Sequence, residues 1–185
     1  MKYMKRKFIA VAALAALATG NAFADEGLAN ITFNSEVSNA TCVLDVSGHS
    51  IASIIPDVTG AALNAATGET IVSQSPDFTL SFTACPAGVT NISVTDVATT
   101  GTTSATNAAL YAIPEGGSAR GMAVGTQLNG TTLALGAGTN SALLIPVDGT
   151  GVATITGSNI MVHETGVPAV SGDYNTTFTL KFDWS

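Results

Sequence analysis

Few side chains in this sequence are equipped for chemistry, and their spacing points to structure rather than catalysis. Cys42 and Cys85 are the two thiols, and His49 and His163 are the two histidines. Neither histidine has a cysteine, a second histidine or paired carboxylates at metal-ligand spacing, so no metal site is expected. The 13 Asp and Glu residues are scattered, with Asp25 and Glu26 the adjacent acidic pair, and they read as solvated loop charges. No nucleophile elbow, phosphate-binding loop or dinucleotide fingerprint occurs. The expectation is a protein with no catalytic residues, no cofactor and no enzymatic activity.

What the two thiols do depends on the compartment, and the start of the chain addresses that. Lys2, Lys5, Arg6 and Lys7 form a basic region, followed by an apolar run over residues 8–18. That run is too short to span a bilayer. Ala22, Phe23 and Ala24 then supply the small-x-small pattern of a signal-peptide cleavage site. Residues 1–24 are therefore expected to be a signal peptide. Export leaves 161 of the 185 residues, enough for one domain with a sizeable core. Arg120 and Lys181 then face all 13 acids, a net charge of −11. Nucleic acid is an unsuitable partner for such a chain, because phosphate binding needs clustered Lys and Arg. An anionic membrane surface is excluded on the same ground, whereas a basic protein groove fits. In an oxidising compartment Cys42 and Cys85 are expected to pair. Their disulfide closes a loop of about 44 residues, which the chain-entropy treatment values at roughly 4 kcal/mol.

The elements around these residues are strands. No apolar 3.6-residue period persists after the signal segment, and short alternating runs recur instead. They fall at residues 41–46, 50–55, 77–84, 89–97, 121–128, 131–135, 141–147, 152–155, 159–163 and 176–184. Asn129 and Gly130 form the strongest hairpin signal in the chain. Residues 60–68 carry weak helix potential, and residues 99–107 read as a surface loop. So many strands with turn signals between them predict an all-β sandwich. Both ends of the mature chain alternate as well. Ala29, Ile31, Phe33, Ser35 and Val37 point one way near its start, and Phe178, Leu180, Phe182 and Trp184 share one face at its end. A sandwich of this size pairs one end strand at its edge. Two apolar end strands therefore suggest an empty lane, of the kind that a strand from another chain fills.

Five stretches carry a resemblance to a family. Ile31, Phe33, Ser35 and Val37, followed by Asn39, Ala40 and Cys42, resemble V-x-F-x-G-x-V…N-A-x-C. Residues 76–89, with Phe78, Leu80, Cys85, Pro86, Ala87, Gly88 and Val89, resemble P-F-x-I-x-L-x-x-C-P-A-G-V. Residues 119–128 resemble A-x-G-V-G-V-Q-L, and Val170 to Gly172 resemble V-x-A-G. The tail has Gly172 fourteenth from the end and the aromatic Trp184 next to last. In order and spacing the chain resembles the fimbrial (pilin) subunits of the Gram-negative chaperone–usher pathway, of the type 1 and P pilus kind. It departs from them at Ser35, where the family has Gly, and at Trp184, where it has Tyr.

The resemblance implies an incomplete immunoglobulin-like sandwich lacking its last strand and completed by a donor strand from another chain. Residues 25–39 become an N-terminal donor-strand extension and residues 40–185 the fimbrial domain. Ala29, Ile31, Phe33, Ser35 and Val37 would enter successive pockets of a neighbour, with Phe33 the main anchor. Phe178, Leu180, Phe182 and Trp184, with Gly172 before them, would line this chain's own acceptor groove. The implied partners are other pilin subunits, a periplasmic pilus chaperone and an outer-membrane usher, with host glycans a further candidate through the assembled fibre. The implied route runs through the periplasm to a fimbrium on the cell surface. The resemblance favours a structural subunit supporting cell adhesion. The alternatives are a minor tip or adhesin-like subunit that binds glycans and a subunit that terminates the fibre base.

Overall fold

The computed structural model describes residues 27–34, 42–45, 50–136 and 142–185. The signal segment 1–24 lies outside them. The chain contributes β1 (Gly27–Asn34), β2 (Val43–Asp45) and β3 (Ser50–Ile55), then the one-turn helix α1 (Gly60–Ala65). It continues through β4 (Ile71–Gln74), β5 (Phe78–Thr83), β6 (Asn91–Thr99), β7 (Thr102–Thr103) and β8 (Ala112–Ile113). The last elements are β9 (Met122–Leu128), β10 (Thr131–Thr132), β11 (Leu143–Pro146), β12 (Ala153–His163) and β13 (Asn175–Trp184). They form two sheets. One has the order β11-β6-β13-β1-β3, and the other β2-β5-β12-β9-β8-β7, with β10 against β9 and β4 against β12.

Alternation explains which faces meet. β5 and β13 bury every second residue, Phe78, Leu80 and Phe82 on one and Thr176, Phe178, Leu180 and Phe182 on the other. These inward faces enclose a core with Ile92, Val94 and Ile155, all fully buried. Phe82 bridges the layers, with its ring centroid 5.1 Å from that of Phe182 and 5.9 Å from that of Trp184. Asn129 and Gly130 make the expected two-residue turn. Both have positive φ, 48° and 76°, and they join β9 to β10 with Leu128 opposite Thr131.

The structure departs from the sequence reading at residues 152–163. Two strands were expected there, and one continuous strand, β12, is present. Gly157 and Ser158 look like a break in sequence. The glycine is instead a packing requirement, because a Cβ at Gly157 would stand 2.3 Å from the Phe78 ring. β4, which the sequence reading did not mark, pairs with the distal half of β12, while β5 pairs with its proximal half. At the junction Ser75 N–H donates to the Asn159 carbonyl (2.8 Å) and Asn159 N–H donates to Ser75 Oγ (2.9 Å). The edge of β12 is thus paired along its length.

Candidate functional site

β13 has β6 on one side, antiparallel, and β1 on the other, parallel. β1 in turn pairs antiparallel with β3. The lane between β13 and β3 is therefore filled, in the single chain, by that chain's own first strand. Ala29 lies opposite Thr176, Ile31 opposite Phe178 and Phe33 opposite Leu180 on one side. Ala29 lies opposite Ser53 and Ile31 opposite Ile51 on the other. Ile31 is fully buried, and burial of a side chain of this size is worth roughly 1.5–3 kcal/mol. Ser35 and Val37 fall outside the described residues.

The expected groove residues come together. Phe178, Leu180 and Phe182 form the buried floor beside β1, and Trp184 packs half-buried on Phe82. The opposite face of β13 is wet. Its Lys181–Asp183 ion pair (3.1 Å) is exposed and contributes little. Gly172 lies just ahead of β13, where a Cβ would meet Ser118 Oγ at 2.2 Å and Ala119 N at 2.4 Å. The glycine lets the segment leading into β13 press against the segment leading into β9.

That close approach shapes the end of the lane. A cavity of about 510 Å³ opens between Ile55, the last residue of β3, and Tyr174, with Leu63 of α1, Met122, Met161 and Gly172 also in its wall. α1 is held in place by its N-cap, Thr59, whose hydroxyl accepts from Ala62 N–H at 3.2 Å. Two buried hydroxyls here have no hydrogen-bond partner among the described residues, Tyr174 Oη and Thr176 Oγ1. Burial, with the Asp57 charge behind it, pushes the Tyr174 phenol above its ordinary range. The sequence reading missed Thr176, Tyr174 and the β3 wall. The alternation of Ile51, Ser53 and Ile55 was the signal that could have marked that wall.

The expectation of solvated acids is corrected at two positions. Asp96 on β6 is 1 % exposed and points inward at the bulge in the β6–β13 ladder. Its Oδ2 accepts from Thr99 Oγ1 (2.7 Å) and Gly136 N–H (3.0 Å), and its Oδ1 has no partner among the described residues. Burial raises its pKa above the ordinary carboxylate value, and these donors only partly offset that. Glu164 is 3 % exposed and accepts from Ser104 Oγ and from Ala105 N–H. The segment expected as a free surface loop is thereby tied down. Cys42 and Cys85 form the expected disulfide, joining the start of β2 to the end of β5. Among the described residues no group of three or more His, Cys, Asp or Glu is arranged to hold a metal ion. No helix among them is long and apolar enough to cross a membrane.

No protein-family model and no curated protein matches the chain. Solved structures do. A chaperone–usher pilus described for its rod uncoiling is 16 % identical, with 82 % of this chain and 93 % of that one covered at a TM-score of 0.50. The P pilus rod subunit PapA is 14 % identical, covering 79 % of this chain and 99 % of its own at a TM-score of 0.47. The CupB6 tip adhesin from Pseudomonas aeruginosa is 10 % identical, covering 87 % of this chain and 41 % of its own at a TM-score of 0.40. The fold is the immunoglobulin-like sandwich of pilus subunits.

Proposed function

We propose that this chain is a structural subunit of a chaperone–usher fimbria. It polymerises by giving residues 29–37 to a neighbour and accepting the neighbour's strand in the lane between β13 and β3. One observation carries the reading. The lane beside the last strand is closed by the first strand of the same chain, which lies between β13 and β3 and pairs parallel with the one and antiparallel with the other. A strand held only by ladder bonds and inward side chains is replaceable by any strand with the same alternation. The likeness in fold to a chaperone–usher pilus supports the reading.

In this account the lane is open while the chain is handled in the periplasm, where a chaperone strand covers it, and an outer-membrane usher exchanges that strand for a subunit's. Residues 25–39 are the extension, and residues 40–185 the sandwich. The fibre carries the adhesive function at the cell surface. Deleting residues 25–37 tests it: the truncated subunit should bind chaperone and cap fibres without extending them. Fibres of normal length built from the deletion variant would refute the proposal. Immunogold labelling should decorate the shaft along its length, and labelling at one end alone would make the chain a tip or base subunit.

A further inference from the structure

The cavity of about 510 Å³ ahead of β13 has an apolar wall with one unmatched donor in it. Met122 on β9 and Met161 on β12 supply the thioethers. Met122 lies opposite His163 and Met161 opposite Val124, so the two methionines are diagonal neighbours on one face of the sheet. Both are buried, as are Ile55 and Leu63, which complete the apolar wall. The surroundings are fixed. Ala169 N–H donates to Asn64 Oδ1 (2.8 Å), tying α1 to the segment before β13. Arg120 and Val170 exchange two backbone hydrogen bonds, 3.1 and 3.0 Å long. Pockets for small molecules span about 300–1,000 Å³, and this one falls among them.

Most polar groups around the cavity serve the protein itself. Asp173 Oδ1 accepts from Ser118 N–H (3.0 Å) and Ser118 Oγ (3.2 Å). Arg120 Nη1 donates to the carbonyls of Ala119 (2.7 Å) and Gly117 (3.3 Å). Tyr174 differs from them. It is 8 % exposed, and its Oη has no hydrogen-bond partner among the described residues. Burial and the Asp57 charge keep the phenol protonated, hence a donor. We propose that the cavity binds a small, uncharged aromatic molecule bearing an acceptor oxygen, with Tyr174 Oη donating to that oxygen and Met122 and Met161 packing on the ring. Thioethers favour aromatic partners. An anion meets the carboxylates of Asp57 and Asp173, with Arg120 turned to backbone carbonyls. A cation would lose its water against methyl groups and thioethers without a buried charge to pair with. None of the described residues lining the cavity belongs to β1, so the proposal does not rest on strand donation.

The probe is 6-propionyl-2-(dimethylamino)naphthalene, an uncharged aromatic ketone whose emission moves to the blue on leaving water and to the red when its carbonyl accepts a hydrogen bond. Titrated against the purified mature subunit, it should bind saturably at one site with blue-shifted emission. Displacement by a matched series reads the chemistry. 2-Acetylnaphthalene should compete, naphthalene should compete about tenfold less well for want of the acceptor, and naphthalene-2-carboxylate should compete least. Two variants place the site. Tyr174→Phe keeps the ring and removes the donor. It should weaken the probe about tenfold and shift its bound emission further to the blue, while the melting midpoint of the subunit stays unchanged or rises. Ala169→Phe, at the half-buried rim, should block the cavity and abolish binding in a subunit that still melts cooperatively. Three results would each overturn the proposal: no saturable binding, competition by the carboxylate equal to that by the ketone, or affinity and emission that Tyr174→Phe leaves unaltered. Undiminished binding to a folded Ala169→Phe subunit would place the probe elsewhere and overturn it as well.

Discussion

Ile31→Ala is the sharpest test of the fold, because one buried side chain reports whether β1 occupies its own lane. Ile31 is fully buried between Phe178 on β13 and Ile51 on β3. The substitution removes three carbons, a transfer loss of about 2.4 kcal/mol at ~0.8 kcal/mol per buried methylene. The space left behind adds to this, so a total of about 2.5–4 kcal/mol is expected. For a mature chain of 161 residues, each kcal/mol moves the melting midpoint by about 2–4 °C. The expected drop is therefore about 5–15 °C. Thr32→Ala on the same strand is the control. Its side chain is half-exposed, and its loss should stay within about 0.5 kcal/mol. Near-ultraviolet circular dichroism of the purified mature subunit follows the transition, since Trp184 packs edge-on against Phe82. If β1 lies in its own lane, the midpoint is independent of protein concentration, whereas a strand supplied by another copy makes it rise with concentration. Equal shifts for Ile31→Ala and Thr32→Ala would refute the buried position of β1.

Other perturbations read other parts of the molecule. Gly157→Ala drives a methyl group into the Phe78 ring and should cost about 1–3 kcal/mol, seen as a lowered urea midpoint at unchanged m-value. Glu164→Ala strands the Ser104 hydroxyl and the Ala105 amide. It should cost about 1.5–3 kcal/mol and speed amide exchange selectively over residues 104–106. Asp96 has a raised folded-state pKa, so its folded form holds the proton more tightly than the unfolded chain. Its contribution to stability falls as pH rises from the unfolded carboxylate value, about 3.9, through the raised one. Asp96→Asn should therefore remove that slope and stabilise the protein at pH 7, as thermal melts across the acid range would record. Asp148 and Asp173 have lowered values because of the hydroxyl and backbone donors around them, and they act in the opposite sense, losing their contribution as pH falls.

The strands legible in sequence were those whose alternation is unbroken from end to end. β5 and β13 have one wet and one dry face, and a period of 2 says so without further context. β12 was read as two strands because Gly157 resembles a boundary residue in one dimension. Its reason is the Phe78 ring, which comes from another strand. β4 was missed because Ile71 and Val72 are followed by Ser73 and Gln74, and it exists to pair an edge rather than to bury a face. Asp96 and Glu164 were misread for a related reason: each owes its burial to donors far along the chain, Gly136 for one and Ser104 for the other. At the groove, the apolar floor was legible because it lies on a single strand. The nearness of Thr176 to Ser53 was not, since both lie opposite Ala29 and are neighbours only across the strand that separates them.

The proposed function gives the lane two mutually exclusive occupants, the chain's own β1 and a neighbour's strand, and their balance can be weighed. A strand on a short tether competes at an effective concentration of order 1 mM, which gives the chain's own β1 an advantage of about 4 kcal/mol over a free strand at about 1 μM. A neighbour's strand must make up that difference with contacts that β1 does not make. An isolated subunit then closes on itself instead of presenting an open, apolar edge to solvent, which guards against indiscriminate strand pairing. Under the proposed function, polymerisation requires that the closed form be bypassed, by a chaperone that holds the lane or by a high local concentration of subunits.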